Sequence, residues 1–161
     1  MSDTIQIIKI YTDGSCHTKH RIGAWAAIIL NDDIETDLYG LETDTTHNRM
    51  ELQAILNALE YLKSNDLKSS SVLIYSDSQY AVKIMERKDK LKTAKFKTKK
   101  GNSIQNNDLV QQLIEYIETM SLKFIKVKAH QKKSDIRNYN IDVDKRSRKI
   151  VRDYIRNNFS D

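Results

Sequence analysis

The sequence predicts an α/β fold on a five-stranded mixed sheet, a three-stranded antiparallel meander followed by two helix-linked parallel strands. Two observations carry this. Short apolar runs punctuated by turn residues fill the first forty positions, and at Asn48 the hydrophobic period changes from that of a strand to that of a helix. From there to the end, helical stretches alternate with single short apolar runs.

Taken in order, Thr4–Thr12 is rich in Ile and Tyr and meets Asp13-Gly14, which reads as a strand reaching a turn. Ala24–Leu30 is a second strand, Asn31-Asp32-Asp33 supplies turn chemistry, and Ile34–Leu41 returns as a third. Leu52, Ile55, Leu56, Leu59 and Leu62 then recur at helical spacing, predicting a helix over Asn48–Ser64. Val72–Tyr75 is a continuous apolar run, the pattern of a strand buried on both faces. A helix is expected over Ser78–Arg87. Another is marked by Leu109, Leu113, Ile114 and Ile117, with Asn107 or Asp108 as its cap. Leu122–Lys128 alternates as the last strand, and Asn140–Asn157 forms the last helix.

Composition excludes several classes of protein. Of 161 residues, 39% are hydrophobic and 30% charged, too apolar for a disordered tail and too charged for a membrane span. One cysteine, Cys16, rules out an internal disulfide, and the N-terminus lacks the basic and apolar regions of a secretory signal. The expectation is a single domain over 1–161 in a reducing compartment: the cytoplasm, or the nucleus or a viral factory in a eukaryotic or viral setting. The net charge of +5 is unevenly spread. Residues 1–85 carry 7 bases and 12 acids, whereas residues 86–101 carry 8 bases and 2 acids, and residues 123–161 carry 12 bases and 5 acids. An acidic half joined to two basic segments suggests a polyanion handled at a carboxylate site. The plainer alternative is a solvated face and a loop.

Two strand ends resemble each other, Tyr11-Thr12-Asp13-Gly14-Ser15 and Tyr75-Ser76-Asp77-Ser78-Gln79. In α/β sheets ligands bind beyond the carboxyl ends of strands where strand order reverses. If these strands are parallel neighbours, Asp13 and Asp77 meet there, and a divalent cation is the simplest relief of their repulsion. Taken singly, Asp77 also fits a helix N-cap and Asp13 a turn. Glu51, three residues after Asn48, fits a capping box or a third carboxylate at the same edge. Asp144 fits the positive end of the last helix or a surface ion pair with its basic neighbours. Spacing alone does not choose.

The segments YTDGSC (11–16), TTHNRMEL (45–52), YSDSQY (75–80), NDL (107–109), VKAH (127–130) and NIDVD (140–144) occur in the order found in type 1 ribonuclease H, which the chain resembles over about residues 5–155. The resemblance implies a five-stranded mixed sheet with helices on both faces. It also implies endonucleolytic cleavage of RNA paired to DNA, leaving 5′-phosphate and 3′-hydroxyl ends. The family's four acids, which bind two Mg²⁺ or Mn²⁺ ions, map to Asp13, Glu51, Asp77 and Asp144. Two ions about 3.5–4 Å apart can activate water and stabilise the leaving oxygen. No Cys/His grouping offers zinc ligands instead.

Further roles follow only from the resemblance. His130 matches a mobile histidine that shuttles protons or aids product release. Thr46 and Asn106 match a DNA-phosphate pocket, Asn48 and Gln79 match minor-groove contacts, and Cys16 lies among local substrate contacts. Residues of about 86–106 match a basic protrusion that grips the hybrid, here with Lys95, Lys97, Lys99 and Lys100 and a single aromatic residue, Phe96, within 86–101. The His17–Gly23 turn departs from the Gly/Pro-rich one of many relatives. The implied partner is an RNA–DNA hybrid duplex, met by a monomer with no membrane association and no separate hybrid-binding domain. A hybrid-binding module with weak catalysis is the alternative, and the presence of all four acids argues against it.

Overall fold

The computed structural model describes residues 5–67, 70–128 and 137–159. Five strands, β1 (Ile7–His17), β2 (Ile22–Asn31), β3 (Ile34–Glu42), β4 (Ser71–Ser76) and β5 (Ser121–Lys126), form one sheet in the order β3-β2-β1-β4-β5. The first three are antiparallel, while β4 runs parallel to both β1 and β5. The helices are α1 (His47–Ser64), α2 (Gln79–Glu86), α3 (Lys88–Thr93), α4 (Asn107–Thr119) and α5 (Tyr139–Asn158). This is the expected mixed sheet, with the short α3 added inside the basic segment. No described helix is long and apolar enough to cross a membrane.

The period-2 alternation of the strands divides the core between the two faces. Ile8, Ile10, Ala27, Ile29, Val72 and Ile74 pack with Leu52, Ile55 and Leu59 of α1 and with Ala81, Leu109 and Leu113 of α2 and α4. On the opposite face Ala26 and Ile28 meet Val143 of α5, and Ala24 meets Val151. Fully burying a Leu or Ile side chain contributes about 1.5–3 kcal/mol, so the α1 stripe is a principal clamp on the sheet. The α5 side is thinner, because only Val143, Ser147 and Val151 of that helix are buried. Helix α5 packs on β1–β3, so β4 is not buried on both faces as its apolar run suggested. Val72, Ile74 and Ser76 are buried, whereas Ser71, Leu73 and Tyr75 are half-buried.

Strand β1 also departs from the sequence reading, since it does not stop at Asp13-Gly14 but runs on to His17, paired with β2. Glycine is needed at position 14 for closeness rather than for turning. A Cβ there would lie 2.6 Å from the backbone of both Met50 and Glu51. Helix α1 therefore rests directly on β1 at this point, which brings Glu51 to the sheet edge. Overpacking a tight contact typically costs about 1–3 kcal/mol, and here the opposing atoms are backbone and yield poorly. Gly14→Ala is therefore expected to lower unfolding free energy by that order and to displace Glu51. Denaturant unfolding beside a divalent-metal titration checks this, and unchanged values for both would contradict it.

Candidate active site

Parallel pairing of β1 and β4 ends at Tyr11–Tyr75, and two residues further on stand Asp13, within β1, and Asp77, just past the end of β4. This is where strand order reverses, β2 and β3 lying to one side of β1 and β4 and β5 to the other. Asp13 is still within β1, opposite Ala26, and is buried. Asp77 does not cap α2. Ser78 is the N-cap, its hydroxyl accepting from the Ala81 amide at 3.2 Å. Nor does Glu51 belong to a capping box, because Thr46 caps α1, accepting from the Arg49 amide at 3.2 Å. Glu51 falls in the second turn and is 1% exposed.

Carboxylate oxygens of Asp13, Glu51 and Asp77 all lie within 4.8 Å of one another. Asp144, in the second turn of α5, lines the same cavity and makes an ion pair with Arg148 at 2.9 Å. Two like charges about 4 Å apart repel by about 4 kcal/mol at an effective dielectric of about 20. Burial, together with the charges of Glu51 and Asp77, pushes the Asp13 carboxyl far above the ordinary carboxylate range. Burial and the Asp77 charge push the Glu51 carboxyl upward too.

Polar partners satisfy this cluster only in part. The Gly14 amide donates to Asp13 Oδ1 at 2.9 Å, and His47 Nε2 lies 3.2 Å from Glu51 Oε1. Glu51 Oε2 is buried with no hydrogen-bond partner among the described residues. Leaving such an oxygen unsatisfied costs about 1–3 kcal/mol, which a cation would offset. An all-carboxylate donor set suits a hard divalent ion such as Mg²⁺ and not zinc. The residues therefore fit the ion that the acids imply.

A cavity of about 1040 Å³ opens over the acids, and Asp13, Glu51, Asp77, Asp144, Cys16, Asn48 and Gln79 all line it. Thr46 and Asn106 lie to one side, where the N-termini of α1 and α4 meet. Arg49 joins them: its guanidinium pairs with both carboxylate oxygens of Asp108 at 3.0 and 2.7 Å and reaches Asn106 Oδ1 at 3.5 Å. Asn106, rather than Asn107 or Asp108, precedes α4, in a left-handed conformation (φ 55°) that asparagine tolerates. Lys95, Lys97, Lys99 and Lys100 do not line the cavity; they are exposed on a separate projection. That projection is ordered by α3, by the Lys97–Ser103 bridge and by Phe96, which packs against the main core. Phe96 is thus an anchor of the projection. His130 lies outside the described residues.

Sequence reasoning missed His47 as a partner of Glu51, whereas the Asp144–Arg148 pair is the ion pair with a basic neighbour that the sequence offered. His47 stands four residues before Glu51 on a helix, and that spacing was the available signal.

Comparison with known proteins agrees with this architecture. The RNase H family model matches residues 6–151. A ribonuclease H of Caldicellulosiruptor saccharolyticus is 38% identical over 125 residues, 76% of this chain and 83% of that protein. A ribonuclease H of Wolbachia from Drosophila simulans is 37% identical over 147 residues, 91% of this chain and 96% of that one. The crystal structure of LC9-RNase H1, a type 1 RNase H with the type 2 active-site motif, is similar in fold, with a TM-score of 0.78 at 19% identity over 95% of this chain and 75% of that chain. With a family match spanning nearly the whole chain and relatives well above 30% identity, this chain belongs to the ribonuclease H family.

Proposed function

We propose that the chain hydrolyses the RNA strand of RNA–DNA hybrids endonucleolytically, leaving 5′-phosphate and 3′-hydroxyl ends. In this reading Asp13, Glu51, Asp77 and Asp144 hold two Mg²⁺ ions, for which Mn²⁺ can substitute. The observation that carries it is the packing of three carboxylates within 4.8 Å at the sheet's reversal point, with one buried oxygen unsatisfied. When bound, the ions polarise the phosphate and lower the pKa of water.

The protein's own groups do the positioning. Arg148 steadies Asp144, His47 steadies Glu51 Oε1, and the Gly14 amide orients Asp13. Asn48 and Gln79 line the cavity with amides that both donate and accept, as reading a 2′-hydroxyl requires. The Thr46–Arg49–Asn106 junction presents two helix N-termini, a setting suited to a phosphate of the DNA strand. His130 is assigned proton transfer during turnover on the family resemblance. All four acids come from one chain, so a monomer suffices.

Matched RNA–DNA, RNA–RNA and DNA–DNA duplexes, each with and without Mg²⁺, test the reading. The expected result is cleavage of the hybrid alone and only with the ion. Binding without cleavage would favour the hybrid-binding module instead. In the same assay Asp77→Asn should abolish cleavage while hybrid binding persists, because the amide keeps the shape and removes the charge. Near-normal turnover would sink the assignment.

A second expectation concerns the projection. Replacing Lys95, Lys97, Lys99 and Lys100 with Gln should weaken hybrid binding and leave the single-turnover rate at saturation unchanged. Each lost phosphate contact should reduce the log–log salt slope by about 0.7–0.9. An unchanged slope would show these lysines to be a solvated loop.

A further inference from the structure

The cavity over the acids does not end at Asp144. It continues along α5, where Arg148, Arg152, Arg156 and finally Phe159 also line it. The rotation of α5 explains this. Val143, Ser147 and Val151 are its buried line, four residues apart and seated against the sheet. The adjacent line, one residue later, is Asp144, Arg148, Arg152 and Arg156, and it faces the cavity. Successive members rise about 6 Å along the helix, comparable with the spacing of phosphates along one strand. The file begins with the acid that resemblance assigns to the metal site and goes on with three guanidiniums.

Arg148 and Arg156 have ion-pair partners, and Arg156 does not hold its partner alone. Arg148 pairs with Asp144, whereas Arg156 shares Asp153 with Lys149, each at 2.6 Å. Asp153 therefore keeps a cation if Arg156 turns toward a ligand. A guanidinium has five N–H donors, which leaves capacity for a phosphate beside the carboxylate. At the far end of the cavity His17, His20 and Phe159 form a stack, with ring centroids 5.0 and 4.0 Å apart. Phe159 is 38% exposed, and both it and His17 line the cavity. An exposed aromatic edge beside a row of arginines offers an apolar surface for a sugar next to donors for phosphates.

We infer that Arg152 and Arg156 form a track for the phosphates of the strand being cut, extending away from the acids along α5 to an aromatic stop at Phe159. This rests on the hybrid-cleavage reading and adds a subsite to it. The lysine projection does not line this cavity, so the track engages a different stretch of the substrate. Its anion contacts supply binding energy, equal in ground and transition states, that offsets the repulsion of phosphate by the carboxylates.

The test uses hybrids with one fixed cut, shortened stepwise from either side, and the R152Q/R156Q variant of the full chain. On the longest hybrid the variant should raise KM several-fold with kcat unchanged and reduce the salt slope by about 1.4–1.8, two contacts' worth. Shortening from one side of the cut should erase the difference from wild type, and shortening from the other should preserve it. R152K/R156K should retain the salt slope, and Phe159→Ala should raise KM without changing it. Equal KM and slope on every hybrid, or a difference that survives shortening from both sides, would overturn the track. Failure of the underlying reading is distinguishable, because wild type would then leave all the hybrids intact.

Discussion

The packing of three carboxylates against one another, two of them buried, is the constraint around which the structure is arranged. Asp13, Glu51 and Asp77 come from β1, α1 and the end of β4, elements with no local reason to bring like charges together. Main-chain contacts impose the meeting. Parallel pairing of β1 with β4 aligns two of the acids, and the bare backbone at Gly14 admits α1 closely enough to deliver the third. Hydrophobic burial along α1 holds that arrangement against a repulsion of several kcal/mol. The site is thus strained in electrostatic terms while the scaffold around it is well packed.

The distribution of positive charge answers the same constraint at longer range. Arg148 sits against Asp144, and Arg49 ties the N-terminus of α1 to that of α4 beside the cavity. The lysines of the projection and the arginines of α5 supply charge farther out. A polyanion approaching a cluster of acids needs such flanks, since the centre alone would turn it away. On this account, affinity and chemistry reside in separate groups. In the proposed reading exposed cations set the salt dependence of binding, and buried acids set the need for a metal.

Much of the architecture was legible because it depends on periodicity. The change of period at Asn48 marked α1, and the two similar strand ends marked the edge where Asp13 and Asp77 meet. What periodicity could not show was tertiary in origin. Gly14 looked like a turn residue because its real reason, the approach of α1, lies nearly forty residues away in sequence. Val72–Tyr75 looked buried on both faces because nothing local tells where α5 stops covering the sheet. Capping residues were misplaced by one or two positions, at Thr46, Ser78 and Asn106. Those shifts matter, since with Thr46 and Ser78 as the caps neither Glu51 nor Asp77 is engaged in capping a helix. The α5 track needed the rotation of that helix, which only packing against the sheet reveals.

Buried, mutually repelling carboxylates make the site costly without a cation, and metal-free stability against pH tests this most directly. Asp13 and Glu51 have carboxyls raised in the folded state, so the fold holds protons that the unfolded chain has released. Their contribution to stability therefore falls as pH rises above the unfolded carboxylate range of about 4. Thermal unfolding of wild type and Asp13→Asn should be compared from pH 5 to pH 8, with chelator and with Mg²⁺. Without metal the variant should become progressively more stable than wild type as pH rises, a domain of this size shifting about 2–4 °C for each kcal/mol. Mg²⁺ should raise wild type most and close the gap. A variant less stable than wild type at every pH, with no response of either protein to Mg²⁺, would contradict the account.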